Sequence, residues 1–404
     1  MSTYRLLGLS TSFPLHVDGC AGVFVRRLYQ NLPQHWQVEV VCPDDSEAQS
    51  SSGWERDVDT FLPIHAVRYA PRHWQVLAQG SGGVVAGLRR APWRAALVPL
   101  LLLCLAWRCA RSARNADLIH ANWAICGAIA CMVGKVTRRP VVTTLRGDDV
   151  TRASRSWLER RLLDAAVTGS RSIVCVSEAM AIQLRASYPK RECDIHVCLN
   201  GIDEAFLKVE QSNPVLGCLR IAAVGSLIQR KGYDLLIDAV ARMHYGDGVR
   251  VRIAGDGPLR TQLLQRAGAL GIADRFDFVG EIAPELIPQF LSDADVFILT
   301  SRSEGRPNVV IEALAAGLPV VSSALPGIDG LVMHGENGWV VEIGDIAGFA
   351  LALDEAFADP IERMRRAAFA RERMSAKDYS WAMTGQSYDR LFMNALVKRC
   401  EVTL

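Results

Sequence analysis

The stretch VFILTSRSEGRPNVVIEALAAGLPVVS, residues 296–322, carries a whole structural unit in one reading. An apolar run, Val296–Thr300, has strand length and composition. A polar, glycine-containing loop follows, Ser301 to Pro307. Val309–Ala316 then has helical length and spacing, Gly317 suits its end, and Pro319–Ser322 is strand-like again. Strand, helix and strand in so short a span predict a parallel crossover, with the polar loop at the carboxyl end of the first strand.

The same alternation extends outward in both directions. Further strands are predicted at Tyr4–Ser10, Val38–Cys42, Asp117–His120, Val141–Leu145, Ile173–Val176 and Ile195–Leu199, then at Leu219–Val224, Val249–Ala254 and Phe276–Val279. Helices are predicted at Val23–Leu32, Tyr233–Met243, Leu259–Ala269 and, in the tail, Tyr379 to Val397. This pattern gives an α/β fold with parallel sheets. At 404 residues the chain is too long for one ordinary core, which predicts two doubly wound domains. The Gly- and Pro-containing segment Gly201–Gly217 reads as the linker. The domains are then 1–203, joined by a final helix at about 380–404, and 204–379, facing each other across a cleft.

Composition narrows the function. Half of the residues are hydrophobic and 22% are charged, which suits a globular chain, and the net charge of +2 gives no general attraction to nucleic acid. The 11 cysteines include no Cys-x-x-Cys pair, and Cys104, Cys131 and Cys175 lie in apolar runs. They read as buried thiols of a cytoplasmic protein. Met1 to Ser10 reads as a strand rather than a signal peptide. The longest apolar run, Ala95–Trp107, is interrupted by Pro99 and reads as too short to span a bilayer.

The polar clusters fall where strands end. Glu304 on the loop and Glu312 one turn into the next helix can flank one ligand, and a helix amino end at Asn308 and Val309 favours phosphate. A solvated loop Glu and a first-turn Glu would give the same letters; the Gly305-x-Pro307 between them favours a site. Arg230 and Lys231, framed by Gly225 and Gly232, suit a diphosphate, whereas a lone Arg-Lys pair would be an ordinary basic turn. Gly255-Asp256-Gly257-Pro258 is mostly a tight turn. His120 ends its predicted strand, and Arg146 and Asp148 follow theirs, where they could simply brace each other. Asp293-Ala294-Asp295 precedes a strand and reads as a turn, so no metal site is expected.

Glu304-Gly305-x-Pro307 with Glu312 resembles the Glu-x7-Glu signature of the retaining family 4 glycosyltransferases, which have the GT-B fold of two facing Rossmann-like domains with an interdomain cleft. Gly225–Gly232, Gly255–Pro258 and Asn200-Gly201-Ile202-Asp203 match in order, so the resemblance covers nearly the whole chain. It implies a metal-independent hexosyltransferase that needs no cofactor and takes a nucleotide diphosphate sugar. Glu304 would touch the transferred sugar, Glu312 the ribose, and Arg230 and Lys231 the departing diphosphate, helped by the Asn308 and Val309 amides. The base would lie near Val279 and Gly280, and His120 would contact the sugar. Two departures stand out. Thr144-Leu145-Arg146-Gly147 carries Arg146 where relatives often have His, which suits an anionic part of donor or acceptor. Asp18-Gly19-Cys20-Ala21-Gly22 replaces a glycine pair, leaving Gly19 and Gly22 to approach the phosphate.

Gly22-Val23-Phe24-Val25 and Pro307-Asn308-Val309 are most similar to members that build bacterial exopolysaccharide and other surface glycans. GDP-mannose is the first donor expected, UDP-sugars the next, and the acceptor a polyprenyl-linked glycan. Residues 89–114 carry Arg89, Arg90, Arg94, Arg108, Arg111 and Arg114, with Trp93 and Trp107 bracketing an apolar middle. This is either a helix lying on the inner membrane face or a core helix with basic ends. Two other functions share the fold: a nucleotide-sugar epimerase or phosphorylase, and a subunit that binds sugar nucleotides without catalysis. The retained Glu304, Arg230 and Lys231 argue against the last, and no cofactor lysine site favours a phosphorylase.

Overall fold

The computed structural model describes residues 3–15, 22–44, 62–75, 77, 92–154, 156–213, 215, 217–375 and 379–397. The chain divides into two compact units, Met1–Gly201 with Trp381–Leu404, and Ile202–Ser380.

In chain order the first unit contains β1 (Tyr4–Leu9), α1 (Val23–Gln30), β2 (Trp36–Pro43), β3 (Ile64–Val67), α2 (Val98–Ala113), β4 (Leu118–Asn122), α3 (Ala124–Thr137), β5 (Val141–Leu145), α4 (Asp148–Ala153), α5 (Trp157–Gly169), β6 (Ser172–Cys175), α6 (Glu178–Ser187) and β7 (Ile195–Val197). The second contains α7 (Glu204–Leu207), β8 (Leu219–Val224), α8 (Tyr233–Arg242), β9 (Val249–Ala254), α9 (Arg260–Ala269), β10 (Phe276–Gly280), α10 (Ile287–Ser292), β11 (Val296–Leu299), α11 (Asn308–Ala315), β12 (Val320–Ser323), β13 (Gly338–Val341), α12 (Ile346–Ala358) and α13 (Pro360–Met374). The last helix, α14 (Trp381–Val397), returns to the first unit.

Among the described residues the first sheet has the order β3-β2-β1-β4-β5-β6-β7 and the second β10-β9-β8-β11-β12-β13, with parallel pairing throughout. Each order reverses beside its first strand, between β1 and β4 and between β8 and β11. Such a reversal leaves a crevice beyond the carboxyl ends of the strands, because the flanking connections depart to opposite faces. Both faces of the second sheet are covered. Ile221, Val251, Val296 and Phe349 pack on one side, and Ala222, Phe297, Val310 and Leu314 on the other. That two-sided burial explains why these strands read as continuous apolar runs. Cys131 and Cys175 are buried free thiols, and Cys104 is half-buried.

Three details correct the sequence reading. The first half of the supposed linker is built into the second unit. Asp203 caps α7 through the Ala205 amide, and Ile202, Phe206 and Val209 are buried in that unit's core. Pro99 does not interrupt the apolar run but sits in the first turn of α2, where its missing N–H costs nothing. With the 3-10 turn Pro92–Leu97 before it, the helical stretch Trp93–Ala113 covers 21 residues at mean hydropathy 1.5, long and apolar enough to cross a membrane by length and composition. Leu101, Leu105, Cys109 and Ala113, four residues apart, bury one stripe of α2 against Leu7, Leu9, Val41 and Val67. The opposite side leaves Leu103 and Trp107 68% and 66% exposed.

Candidate active site

In the second unit, β8 and β11 are neighbours, so the loops that leave their carboxyl ends meet. Gly232 ends the first loop in the left-handed region at φ +68, and a Cβ there would strike the Thr300 carbonyl. Glycine is therefore what lets the two loops approach. The Arg302 amide donates to the Arg230 carbonyl at 2.8 Å, and the Arg302 guanidinium forks onto Asp234 at 2.9 and 2.6 Å and reaches the Gln229 carbonyl at 2.7 Å. These contacts hold the basic loop and the Glu304 loop as one piece.

The chemistry is concentrated on Glu304. Its Oε1 accepts from Lys231 Nζ at 2.7 Å and from Ser301 Oγ at 2.8 Å, while Oε2 accepts from Arg230 Nη1 at 3.3 Å. The Glu304 side chain is 7% exposed, against 34% for Arg230. Burial works to raise the Glu304 pKa, but the charges of Lys231 and Arg230 and the hydrogen bonds from Lys231 and Ser301 outweigh it and hold the carboxyl below its usual range. The result is an ionised carboxylate with two cations gathered on it. One Glu cannot neutralise both, so the cluster keeps excess positive charge for an anionic ligand.

Glu312 is different. It sits in α11 and no described residue hydrogen-bonds its carboxyl. Burial, with Asp203 adding a smaller like-charge effect, raises its pKa to about 7. Pro307, which precedes α11, gives the helix no side-chain cap. Gly327 packs against the carbonyls of Glu304 and Gly305, which fixes the turn into the helix.

The neighbouring strand ends continue the ridge by backbone bonds. The Gly225 amide donates to the Ala254 carbonyl at 2.9 Å, and the Gly255 amide to the Gly280 carbonyl at 2.7 Å. Val279 is exposed beside them. The Asp293-Ala294-Asp295 turn is engaged elsewhere: Asp295 is forked by Arg220 at 3.0 Å through both Nε and Nη2, and Asp293 faces Ser212 and Arg252.

In the first unit, Gly22 caps α1 at φ +80, close against the Ser12 main chain. Gly19 lies outside the described residues. Arg146, beyond β5, joins the ends of two other strands: Nη2 donates to Asn122 Oδ1 at 2.7 Å and Nη1 to Asn200 Oδ1 at 2.9 Å. Its guanidinium also lies over the Phe24 ring at 4.6 Å. Burial lowers the Arg146 pKa from its ordinary high value. The carboxylate bracing this loop is Asp149, which accepts from the Arg146 and Ala124 amides, both at 2.9 Å.

The expected contact of His120 with the sugar is corrected here. β4 runs two residues past His120, so the strand ends at Asn122. The ring is fully buried, with Nδ1 2.9 Å from Tyr29 Oη and Nε2 2.8 Å from Thr144 Oγ1, between the rings of Tyr29, Tyr388 and Phe392. Burial, reinforced by the Arg146 charge, holds its pKa well below the usual value. The ring is therefore neutral, with both nitrogens occupied and no solvent reaching them. Sequence reasoning missed Asn122 and the partner role of Asn200, since neither amide carries a spacing signal. It also missed Trp123, whose backbone stands at φ 70 and ψ 155, a conformation costly for any residue but glycine.

The sequence profile described as Glycosyltransferase Family 4 matches residues 19–206, and that described as Glycosyl transferases group 1 matches residues 209–373. The chain is 35% identical over 204 residues to the lipopolysaccharide core biosynthesis glycosyltransferase LpsE of Rhizobium meliloti, an alignment that takes in 48% of this chain and 56% of that one. The chain thus spans just over half the length of that relative. It is 26% identical to glycogen synthase of Mycobacterium tuberculosis over 97% of this chain and 95% of the relative. Among solved structures, HepE of Anabaena in complex with UDP and glucose superposes with a TM-score of 0.75 at 20% identity, covering 97% of this chain and all of that one. The sucrose-phosphate synthase of Thermosynechococcus elongatus gives a TM-score of 0.77 at 19% identity over 98% of this chain. The fold is GT-B.

Proposed function

Because the chain belongs to the family 4 glycosyltransferases, we propose that it transfers a hexose, with retention, from a nucleotide diphosphate sugar to a lipid-linked glycan of the bacterial surface. The single observation that carries the site assignment is the cluster in which Lys231 and Arg230 converge on buried Glu304.

In this reading Arg230 and Lys231 hold the diphosphate and balance the charge that grows on it as the bond from the sugar C1 to the phosphate oxygen breaks. The acceptor oxygen bonds C1 on the same face, and its proton passes to the departing phosphate oxygen. Glu304 orients the two cations and faces the sugar. Glu312 accepts from the ribose hydroxyls, the Asn308 and Val309 amides assist the phosphate, and Val279 and Gly280 border the base. Gly22 and the Arg146–Asn122–Asn200 group serve the acceptor side or an anionic part of the donor.

GDP-mannose is the donor expected from the likeness to surface-glycan enzymes. UDP-sugars are the second reading, favoured by the UDP and glucose in the HepE complex. A thermal-shift panel of GDP-, UDP- and ADP-sugars decides between them, since only the bound donor raises the melting temperature by mass action. The enzyme would work in the cytoplasm at the inner membrane face, with the outward side of α2 against lipid. Flotation with anionic liposomes tests this, and protein that stays at the bottom refutes it.

A further inference from the structure

A cavity of about 550 Å³ opens in the first unit at the amino ends of its strands. Pro140 and Val141 begin β5 there, Arg171 precedes β6, and Asp194 precedes β7. Asn122, Arg146 and Asn200 lie at the carboxyl ends of strands in the same sheet. The five residues of β5 separate the two edges by roughly 15 Å. The cavity is therefore distinct from the site described above.

Its lining is strongly basic. Lys135, Arg138, Arg139, Arg171 and Arg191 face a single carboxylate, Asp194. Asp194 is already spoken for, at 3.0 Å from Arg191 Nε, and Arg191 is further anchored on the carbonyls of Thr168 and Ser170. The carboxyl ends of α3 and α5 also point here and attract cations. Two helix ends supply about −0.5 charge each, so with Asp194, and with Asp117 3.8 Å from Arg139 Nη1, they offset about three of the five cations.

Two details make this a built feature. Arg138 holds a left-handed backbone at φ +55, where glycine or asparagine would be less strained, and so keeps a guanidinium at the rim. Arg139 is fixed by its bond to the Arg114 carbonyl at 3.0 Å and lies 3.8 Å from Asp117 Oδ1, yet its Nε is buried and makes no hydrogen bond. Lys135 and Arg138 are exposed and pair with no described residue. Beside them α3 exposes Met132 and Val136.

We propose that this cavity is a second ligand site, which takes a phosphate group through Lys135, Arg138, Arg139 and Arg171. The phosphate is that of a soluble phosphorylated molecule or of a phospholipid headgroup. A concave surface of one sign concentrates such an anion, and charge-assisted bonds from arginine match its oxygens. The proposal does not depend on the identity of the sugar donor.

The test compares the full chain with the Lys135→Glu/Arg138→Asn double variant. Both positions are exposed, and asparagine tolerates the left-handed backbone. Lys135→Glu alone serves if the double variant melts early. Inorganic pyrophosphate is titrated calorimetrically at low salt. Sedimentation with phosphatidylglycerol vesicles is measured in parallel, with phosphatidylcholine vesicles as control. The donor site contributes equally to both proteins, so the difference between them reports the cavity. For a soluble ligand, the variant loses a pyrophosphate-binding event or weakens it at least about tenfold. For a headgroup, pyrophosphate binding is the same in both proteins, but the variant no longer sediments with phosphatidylglycerol. A variant that matches wild type in both assays overturns the proposal.

Discussion

Two glutamates eight positions apart have opposite electrostatics. Glu304 is held ionised by Lys231 and Arg230 despite its burial, whereas Glu312 is pushed up to about 7 by burial with no hydrogen bond from a described residue. A ribose hydroxyl donates best to a carboxylate, so donor binding should favour ionised Glu312. Donor KM is then expected to fall as pH rises from about 6 to about 8, with a proton released on binding. Glu312→Gln should flatten that profile, and an unchanged profile would remove Glu312 from the donor site. Stability carries the opposite sign. A carboxyl with raised folded-state pKa contributes stability that is full below its unfolded pKa of about 4.5 and is lost as pH rises through about 7. Melting temperatures should therefore decline less between those pH values in Glu312→Gln than in wild type. Removing the Lys231 ammonium is expected to cost about 10²–10³ in turnover, the scale of losing one donor to developing charge. The Glu304, Arg230 and Lys231 cluster was legible because glycines frame it. His120 misled because a histidine on a strand is easier to notice than where that strand stops. Asn122, two residues later, is what the strand presents.

Elements were read best where they were long and periodic. β5, β8 and β9 have their expected boundaries, whereas β3, with His65 inside it, and β13, which opens on Gly338, escaped notice because they lack the continuous apolar run that made the equally short β6 and β11 legible. Pro99 shows why a proline alone cannot locate a break: at the first turn it starts a helix. The final helix is held by side chains rather than by propensity. Tyr388 and Phe392 are buried among Leu6, Tyr29, Trp36 and Val142. Phe392→Ala should cost about 3–5 kcal/mol by denaturant titration, the usual effect of removing a buried ring. The outward face of α2 should behave in the opposite way. Leu103→Glu/Trp107→Glu is expected to leave the melting temperature within a degree or two, since both side chains already face solvent, and to abolish flotation with anionic liposomes. A large loss of stability would show that face to be covered by protein.

At the scale of the molecule, alternation of strand and helix was enough to give two parallel sheets, because a parallel strand needs a crossover and a crossover needs a helix. Strand order was not legible, as the reversal beside β1 and beside β8 is set by which face each crossover takes. That reversal is nevertheless what brings Arg230 and Lys231 beside Glu304. The donor assignment therefore rests on one cluster, and melting temperatures of wild type and Lys231→Ala with saturating GDP-, UDP- and ADP-sugars test it most directly. Ligand at about a hundred times its Kd adds about 2.7 kcal/mol. One donor should thus raise the wild-type melting temperature by roughly 5–10 °C, and the same donor should leave Lys231→Ala almost unmoved. A donor that stabilises both proteins equally would contradict the assignment of this cluster to the diphosphate.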